Sequence, residues 1–137
     1  MLTRKKVLGN EGEQLAAEYL QKQGLRIIER NWRNVRDEID LICVEKGQFS
    51  AETIVFVEVK TRSSDDLLAA ASALDRRKQN ALVRAASRYL GLHGAWEKPC
   101  RFDLICINGA GRSIEHIKDV IHVGDLSFGG NASWQPW

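Results

Sequence analysis

Apolar residues along the chain follow two different periods, one typical of helices and one typical of strands. From Leu8 to about Gln23 they recur at helical spacing, and Gly24 follows in the position where helices commonly end. A second helix is predicted from the cap Asp75 to about Leu90. Runs rich in β-branched and apolar residues predict strands at 25–30, 38–44, 53–60, 100–107 and 113–121. The order α-β-β-β-α-β-β predicts an α/β fold with a central mixed β-sheet flanked by helices.

The second and third strands are expected to form a hairpin, because the segment 45–52 between them is polar and contains a glycine. Its centre falls between positions 48 and 49, so residue i should lie roughly opposite residue 97 − i. Asp40 then lies beside Val57 and Glu58. Side chains two apart on a strand share a face, so Glu58 and Lys60 point the same way. The hairpin therefore gathers Asp40, Glu58 and Lys60 at one end of two neighbouring strands.

Two carboxylates and a lysine in this arrangement have a chemical use. Carboxylates held close together repel each other, and a hard divalent cation bound by both relieves the repulsion. Such a cation binds a phosphate oxygen and lowers the pKa of a bound water, while a neighbouring lysine stabilises the charge that develops on the phosphate. The plainer interpretation is a solvent-facing strand surface on which Glu and Lys alternate. The spacing alone leaves both interpretations open.

The composition is that of an ordinary globular domain. With 137 residues, 44% of them hydrophobic and 28% charged, the chain is long enough for one domain with its own core, expected at 1–123 with an irregular tail at 124–137. No apolar run is long enough to span a membrane, and the N-terminus does not resemble a signal peptide, so a cytoplasmic protein is expected. The three cysteines lie in apolar strand patterns and are interpreted as reduced core residues.

A net charge of +2 does not by itself indicate a nucleic-acid-binding protein, so any basic surface must come from local clustering. The second helix carries Arg76, Arg77, Arg84 and Arg88, which is the most basic surface that the sequence predicts. Lys78 interrupts the apolar stripe of the same helix. It either extends from a buried face to solvent or faces a cleft and binds phosphate.

Several other charged or polar positions allow two interpretations. Arg33 lies in a polar connection, 31–36, where closely spaced arginines could meet a phosphate backbone and Trp32 is expected to pack on the core. Arg101 shares a strand face with Asp103, so an internal ion pair is as plausible as a phosphate contact. Glu13, at the border of the first helix's apolar stripe, is either solvated or reaches over the end of the hairpin. None of the three histidines has a partner at a metal-binding spacing, so no role is assigned to them.

Taken in order, these motifs resemble the YraN-like family of small bacterial proteins. The matching segments cover roughly residues 7 to 121 and are Gly9-x-x-Gly12-Glu13, Asn31-Trp32-Arg33, Glu38-Ile39-Asp40-Leu41-Ile42, Val55-Phe56-Val57-Glu58-Val59-Lys60-Thr61-Arg62, Lys78 and Arg101-Phe102-Asp103. That family is similar to the archaeal Holliday-junction resolvases and to the restriction-endonuclease-like nucleases with the PD-(D/E)xK motif. The chain departs from the family where Asp37 replaces a usual glycine and where Ala69-Ala70-Ala71 replaces a glycine-containing loop.

The resemblance implies a restriction-endonuclease-like fold and a metal-dependent endonuclease acting on DNA, plausibly on branched or single-stranded structures. It implies Mg²⁺ or Mn²⁺ held by Asp40, Glu58 and the carbonyl of Val59, with Lys60 serving the water and Glu13 assisting the metal. Nucleases of this architecture often act as homodimers, and the sequence identifies no dimer interface. The alternative is a nucleic-acid-binding protein of the same fold without significant catalysis. The candidate phosphate contacts are Lys78, Arg33, Arg62 and Arg101.

Overall fold

A computed structural model of the chain describes residues 4–62, 74–109 and 113–122. Its elements are α1 (Arg4–Lys22), β1 (Leu25–Asn34), β2 (Asp37–Lys46), β3 (Glu52–Arg62), α2 (Arg76–Leu92), β4 (Cys100–Asn108) and β5 (Ser113–Ile117). The five strands form one sheet in the order β1-β2-β3-β4-β5, in which β3 and β4 are parallel and the other pairs are antiparallel. The α/β, restriction-endonuclease-like fold class predicted from the sequence is therefore confirmed. The loop at 69–71 and the tail at 124–137 lie outside the described residues.

The two helices cover opposite faces of the sheet. Ala16, Ala17 and Leu20 of α1 pack with strand residues such as Val55 and Val57. Phe56, between Val55 and Val57, points to the opposite face of the sheet, where it packs with Leu104 and with an apolar stripe of α2. That stripe comprises Leu82, Val83, Ala86 and Leu90. Because β3 is covered on both faces, its middle reads as a continuous apolar run, and polar side chains enter only near its ends.

The β2–β3 pairing differs by one residue from the predicted register. Partners sum to 98 rather than 97, from Lys46↔Glu52 to Leu41↔Val57. A single turn of 3-10 helix, Gln48–Ser50, centres the loop on Phe49. The shift leaves the conclusion intact. In the antiparallel pair, Asp40 precedes Leu41 and Glu58 follows Val57, so both lie just beyond the last pair, Leu41↔Val57.

The first strand is longer than predicted. Residues 31–34 continue β1 and pair with β2 as far as Asn34↔Asp37, so they do not form the polar connection expected from their composition. A pairing irregularity between Ile27 and Glu29 and a left-handed residue, Asn31, let a polar sequence remain in the strand. Trp32 packs on the core and meets the Tyr89 ring edge-to-face at 5.5 Å, as expected.

Other local expectations are confirmed. Asp75 caps α2 by accepting a hydrogen bond from the Lys78 backbone N–H at 2.8 Å, and Gly24 follows α1 with a left-handed φ of 93°. The three cysteines are reduced, and Cys43 and Cys106 are buried. By contrast, β5 ends four residues earlier than predicted, at Ile117, and among the described strands it pairs with β4 alone. No helix of the described residues is long and apolar enough to cross a membrane.

Candidate active site

Asp40 lies where strands β2 and β3 separate. The main-chain pairing ends at Leu41↔Val57, and beyond it the Val59 N–H donates a 2.8 Å hydrogen bond to Asp40 Oδ2. A side-chain carboxylate thus takes the place of a main-chain acceptor and satisfies an N–H that the separating strands would leave unpaired. The same hydrogen bond fixes Asp40 against the Glu58–Val59–Lys60 segment.

Glu58 is the buried member of the cluster, with its side chain only 5% exposed. Two ammonium groups contact the same oxygen, Glu58 Oε1: Lys60 Nζ at 3.4 Å and Lys78 Nζ at 3.3 Å. Both lysine side chains remain about one-third exposed. Lys78 therefore faces a cleft at the end of β3, which favours the second of its two interpretations.

Four acidic side chains, Glu13, Glu38, Asp40 and Glu58, act on one another here, and we call them the carboxylate cluster. Burial, together with repulsion from Glu58, raises the pKa of Asp40 to about 8, although the Val59 N–H opposes the rise. Glu13 and Glu38 add smaller repulsions. The cluster thus holds more negative charge than its surroundings neutralise, and binding a cation would relieve this.

Glu13 reaches the end of the hairpin from α1. Burial raises its pKa, and the neighbouring Asn31 and Asp40 side chains oppose the rise. Its neighbour Gly12 lets the helix approach β3 closely, because a Cβ at this position would collide with Thr61 Oγ1. These contacts favour the interpretation in which Glu13 belongs to the site.

The donor atoms of the cluster fit a hard divalent cation. Within the residues that the structure describes, no group of three or more His, Cys, Asp or Glu side chains is arranged to hold a metal ion. A bound cation would thus have two protein carboxylates, from Asp40 and Glu58, and the Val59 carbonyl would supply the third protein oxygen. Mg²⁺ commonly takes one or two carboxylates from a protein and keeps several waters or substrate oxygens, so this small all-oxygen set suits it.

The candidate phosphate-binding arginines lie in different places. Arg33 is exposed and pairs at 3.3 Å with Glu38, a member of the carboxylate cluster. Arg62 ends β3 and is partly buried, and its Nε is buried without a hydrogen-bond partner among the described residues. Lys78 and Arg33 are thus the two candidates that the fold brings to the carboxylates.

Arg101 is not part of the cluster. Its guanidinium contacts Glu45 at 2.6 Å and Asp103 at 3.0 Å, and its side chain is only 18% exposed. It lies opposite Val55 in the β3–β4 pairing, three residues before Glu58 along β3. The ion pair with Asp103 that the shared strand face allowed is present, and the phosphate contact of Arg101 stays a prediction.

Sequence reasoning missed the buried network around Asp103. His116 Nε2 lies 2.7 Å from Asp103 Oδ2, and His116 Nδ1 lies 3.2 Å from the Tyr19 hydroxyl. The Asp119 N–H donates to Asp103 Oδ1 at 3.0 Å. Only the β4–β5 pairing, which puts His116 opposite Ile105, could have indicated that His116 comes near Asp103.

The role of Asp37 was also not predicted. Its carboxylate accepts two hydrogen bonds from Arg84, at 3.0 and 3.1 Å, and so ties the β1–β2 turn to α2. Its charge is taken up by this fork of hydrogen bonds. Asp37 thus anchors the β1–β2 turn to α2.

Comparison with known proteins places the chain in a family. The family model described as "Uncharacterised protein family UPF0102" matches residues 12–107. A UPF0102 protein of Nitratidesulfovibrio vulgaris is 45% identical over 139 residues, covering the whole of both chains. A UPF0102 protein of Lawsonia intracellularis is 39% identical over 95% of this chain and 96% of its own, and one of Pseudomonas syringae is 44% identical over 74% and 79%. The chain belongs to the UPF0102 family, the YraN-like proteins that its motifs indicated.

Proposed function

We propose that this protein is a metal-dependent endonuclease that hydrolyses phosphodiester bonds in DNA. The observation that carries the proposal is the convergence of Asp40, Glu58, Lys60 and Lys78 where β2 and β3 separate. Lys60 and Lys78 lie within 3.4 Å of one oxygen of Glu58, and Asp40 is held to the Val59 N–H. Largely buried carboxylates with partly exposed lysines beside them suit the positioning and charge stabilisation that phosphoryl transfer requires.

Each residue has a role that follows from its contacts. Asp40, Glu58 and the Val59 carbonyl would hold Mg²⁺ or Mn²⁺, which when bound would act as a Lewis acid and acidify a water. Lys60, next to Glu58, is placed to orient the attacking water and to offset charge on the phosphate. Glu13 lies beside Asp40 and would help to position that carboxylate. Lys78 and Arg33 would contact phosphates beside the scissile bond.

A second candidate is a DNA-binding protein of the same fold without significant catalysis. It is favoured by the two ammonium groups on Glu58 Oε1, which already neutralise a carboxylate that a metal would need. Such a protein would bind DNA equally well with and without divalent metal and would tolerate the loss of Lys60. The nuclease is favoured by the raised pKa of Asp40, which shows that repulsion among the carboxylates persists although Lys60 and Lys78 contact Glu58. A metal ion would relieve that repulsion.

The test is a cleavage assay with Mn²⁺ or Mg²⁺ on labelled duplex, single-stranded, flap and four-way DNA. The wild type should cut at least one substrate, and cleavage should stop on adding EDTA. Asp40→Asn and Glu58→Gln should abolish cleavage by losing metal ligands. Lys60→Ala should also lower the rate by about a hundredfold or more while leaving metal binding intact, because an ammonium is not a ligand.

Glu52→Gln is the matched control for Glu58→Gln, since it removes an exposed carboxylate from the same strand at the end remote from the carboxylate cluster. It should retain at least half of the wild-type cleavage rate. Absence of cleavage by the wild type on every substrate, with metal-independent DNA binding, would overturn the nuclease in favour of the second candidate.

A further inference from the structure

The turn between β1 and β2 and the adjacent surface of α2 enclose a continuous groove. Three cavities, of about 470, 320 and 440 Å³, all include Arg36 and Asp37 in their linings. The second of them also contains Glu38 and Lys78, so the groove begins at the carboxylate cluster. It continues along the polar face of α2. We call it the hairpin groove; its cationic residues are Arg33, Arg36, Arg77, Lys78, Arg84 and Arg88.

The hairpin groove is positively charged after its internal pairs are subtracted. Its two acids are each in contact with an arginine, Asp37 with Arg84 at 3.0 Å and Glu38 with Arg33 at 3.3 Å. Arg36, Arg77 and Arg88 form no ion pair with any described residue. Arginines without an ion pair that line one groove beside the carboxylate cluster suit the phosphates of a nucleic-acid strand.

Val35 projects from the rim of the hairpin groove. It is 99% exposed and has a φ of 47°, a left-handed conformation that is unfavourable for a β-branched residue. Its neighbour in the turn is the exposed Arg36, and the turn is closed by the Asn34↔Asp37 pair and tied to α2 by Arg84. An apolar side chain is therefore held out in water on an anchored turn, at a cost in both burial and backbone strain.

We infer that the hairpin groove carries a DNA strand to the carboxylate cluster and that Val35 packs against bases where the stack is interrupted. The inference rests on the proposed nuclease function and adds to it the residues that would recognise a break in base stacking, such as the one at a fork or junction. A continuous duplex keeps the faces of its bases stacked and offers an approaching turn only phosphates, sugars and base edges. Unstacked bases expose apolar faces, and proteins use aliphatic side chains as wedges at such steps.

The first test compares two exposed apolar residues in left-handed turns at opposite ends of β2. Phe49 is 96% exposed with a φ of 62°, but its turn lies beyond the end of the sheet remote from the carboxylate cluster. Fork and duplex binding are measured by fluorescence anisotropy in EDTA for the wild type, Val35→Ser and Phe49→Ser. The wild type should bind the fork more tightly. Val35→Ser should reduce the preference for the fork over the duplex about fivefold, as expected for losing part of one valine's burial, whereas Phe49→Ser should keep it.

The second test probes the charges of the hairpin groove. Arg88→Gln should lower the slope of log affinity against log salt by about 0.7 to 0.9, the contribution of one phosphate contact. Arg26→Gln is the control, because Arg26 is exposed on the same strand as Arg33 but pairs with Val44 far from the turn. It should leave the slope unchanged.

The outcomes separate this inference from the proposed function. If the wild type cuts DNA but Val35→Ser and Arg88→Gln behave like their controls, the hairpin groove assignment is wrong and the nuclease stands. If the wild type binds fork and duplex equally, the assignment of Val35 is wrong whether or not cleavage occurs. If the wild type neither binds nor cuts DNA, both proposals are overturned together.

Discussion

Asp40 and Asp103 are both held among charged groups in the same sheet, and their surroundings shift the pKa in opposite directions. Burial opposes ionisation at both positions. Around Asp103, hydrogen bonds from His116, Arg101 and the Asp119 N–H outweigh burial and hold the pKa below its usual range. Around Asp40, repulsion from Glu58 adds to burial and raises the pKa to about 8, and one backbone N–H opposes it.

The difference separates a carboxylate used for stability from one available for chemistry. Asp103 is fully enclosed, with a side-chain exposure of 0%, and both of its oxygens have partners. Its charge is balanced when the protein is folded. Asp40 has one oxygen on the Val59 N–H and lies among other acids. A folded protein that retains such repulsion loses stability, which favours a functional explanation for the cluster.

The largest expected effect is on stability at Asp103. Asp103→Ala should lower the free energy of unfolding by about 3 to 5 kcal/mol, because it leaves Arg101 and His116 without their shared buried partner. Urea denaturation at neutral pH measures this. Asp37→Ala should cost less, about 1 to 2 kcal/mol, because the Asp37 side chain is only 10% exposed but its partner Arg84 is half exposed and can be solvated when the carboxylate is lost. Equal losses in the two variants would refute the distinction between a fully enclosed network and a pair whose arginine reaches solvent.

The two aspartates should give opposite pH dependences of the metal-free protein. The pKa of Asp40 is higher folded than unfolded, so its contribution to stability is present below the ordinary value of 3.8 and is lost as pH rises toward about 8. The pKa of Asp103 is lower folded than unfolded, so its contribution is present above 3.8 and is lost as pH falls through the folded value.

Urea denaturation in EDTA from pH 5 to 8.5 measures the Asp40 part. Asp40→Asn should flatten the decline and raise the free energy of unfolding by about 1 kcal/mol at pH 8, because Asn can still accept from the Val59 N–H without adding charge. If the wild type became more stable between pH 5 and 8, or if the variant declined as steeply, Asp40 would not carry the repulsion assigned to it.

The smallest expected effect concerns Lys78. Lys78→Ala should change the free energy of unfolding by less than about 1 kcal/mol, since Lys60 still neutralises Glu58 and Lys78 is partly exposed. It should weaken DNA binding and reduce the salt slope by about 0.7 to 0.9. Lys46→Ala, an exposed lysine at the other end of β2, serves as the control. A DNA dissociation constant unchanged from wild type at moderate salt would remove Lys78 from the phosphate-binding set.

The fold and the centre of the site could be predicted because they depend on local signals. The hairpin loop and period-two alternation were enough to bring Asp40 to Glu58, even though the loop centre was misplaced by half a residue. Polar composition misled the prediction at 31–34, where pairing with β2 overrides local preference. The Asp103–His116 contact depends on how β5 returns to β4 after a turn, and no local pattern encodes that distance.

Binding of a divalent cation by the carboxylate cluster is tested most directly by isothermal titration calorimetry of the metal-free protein with Mn²⁺ at pH 7.5. The wild type and Glu52→Gln should bind one Mn²⁺ per chain and release protons, because Asp40 must ionise to act as a ligand. Asp40→Asn and Glu58→Gln should lose most of that binding, and Lys60→Ala should retain it. Absence of Mn²⁺ binding by the wild type at millimolar concentrations, or equal binding in Asp40→Asn, would contradict the account.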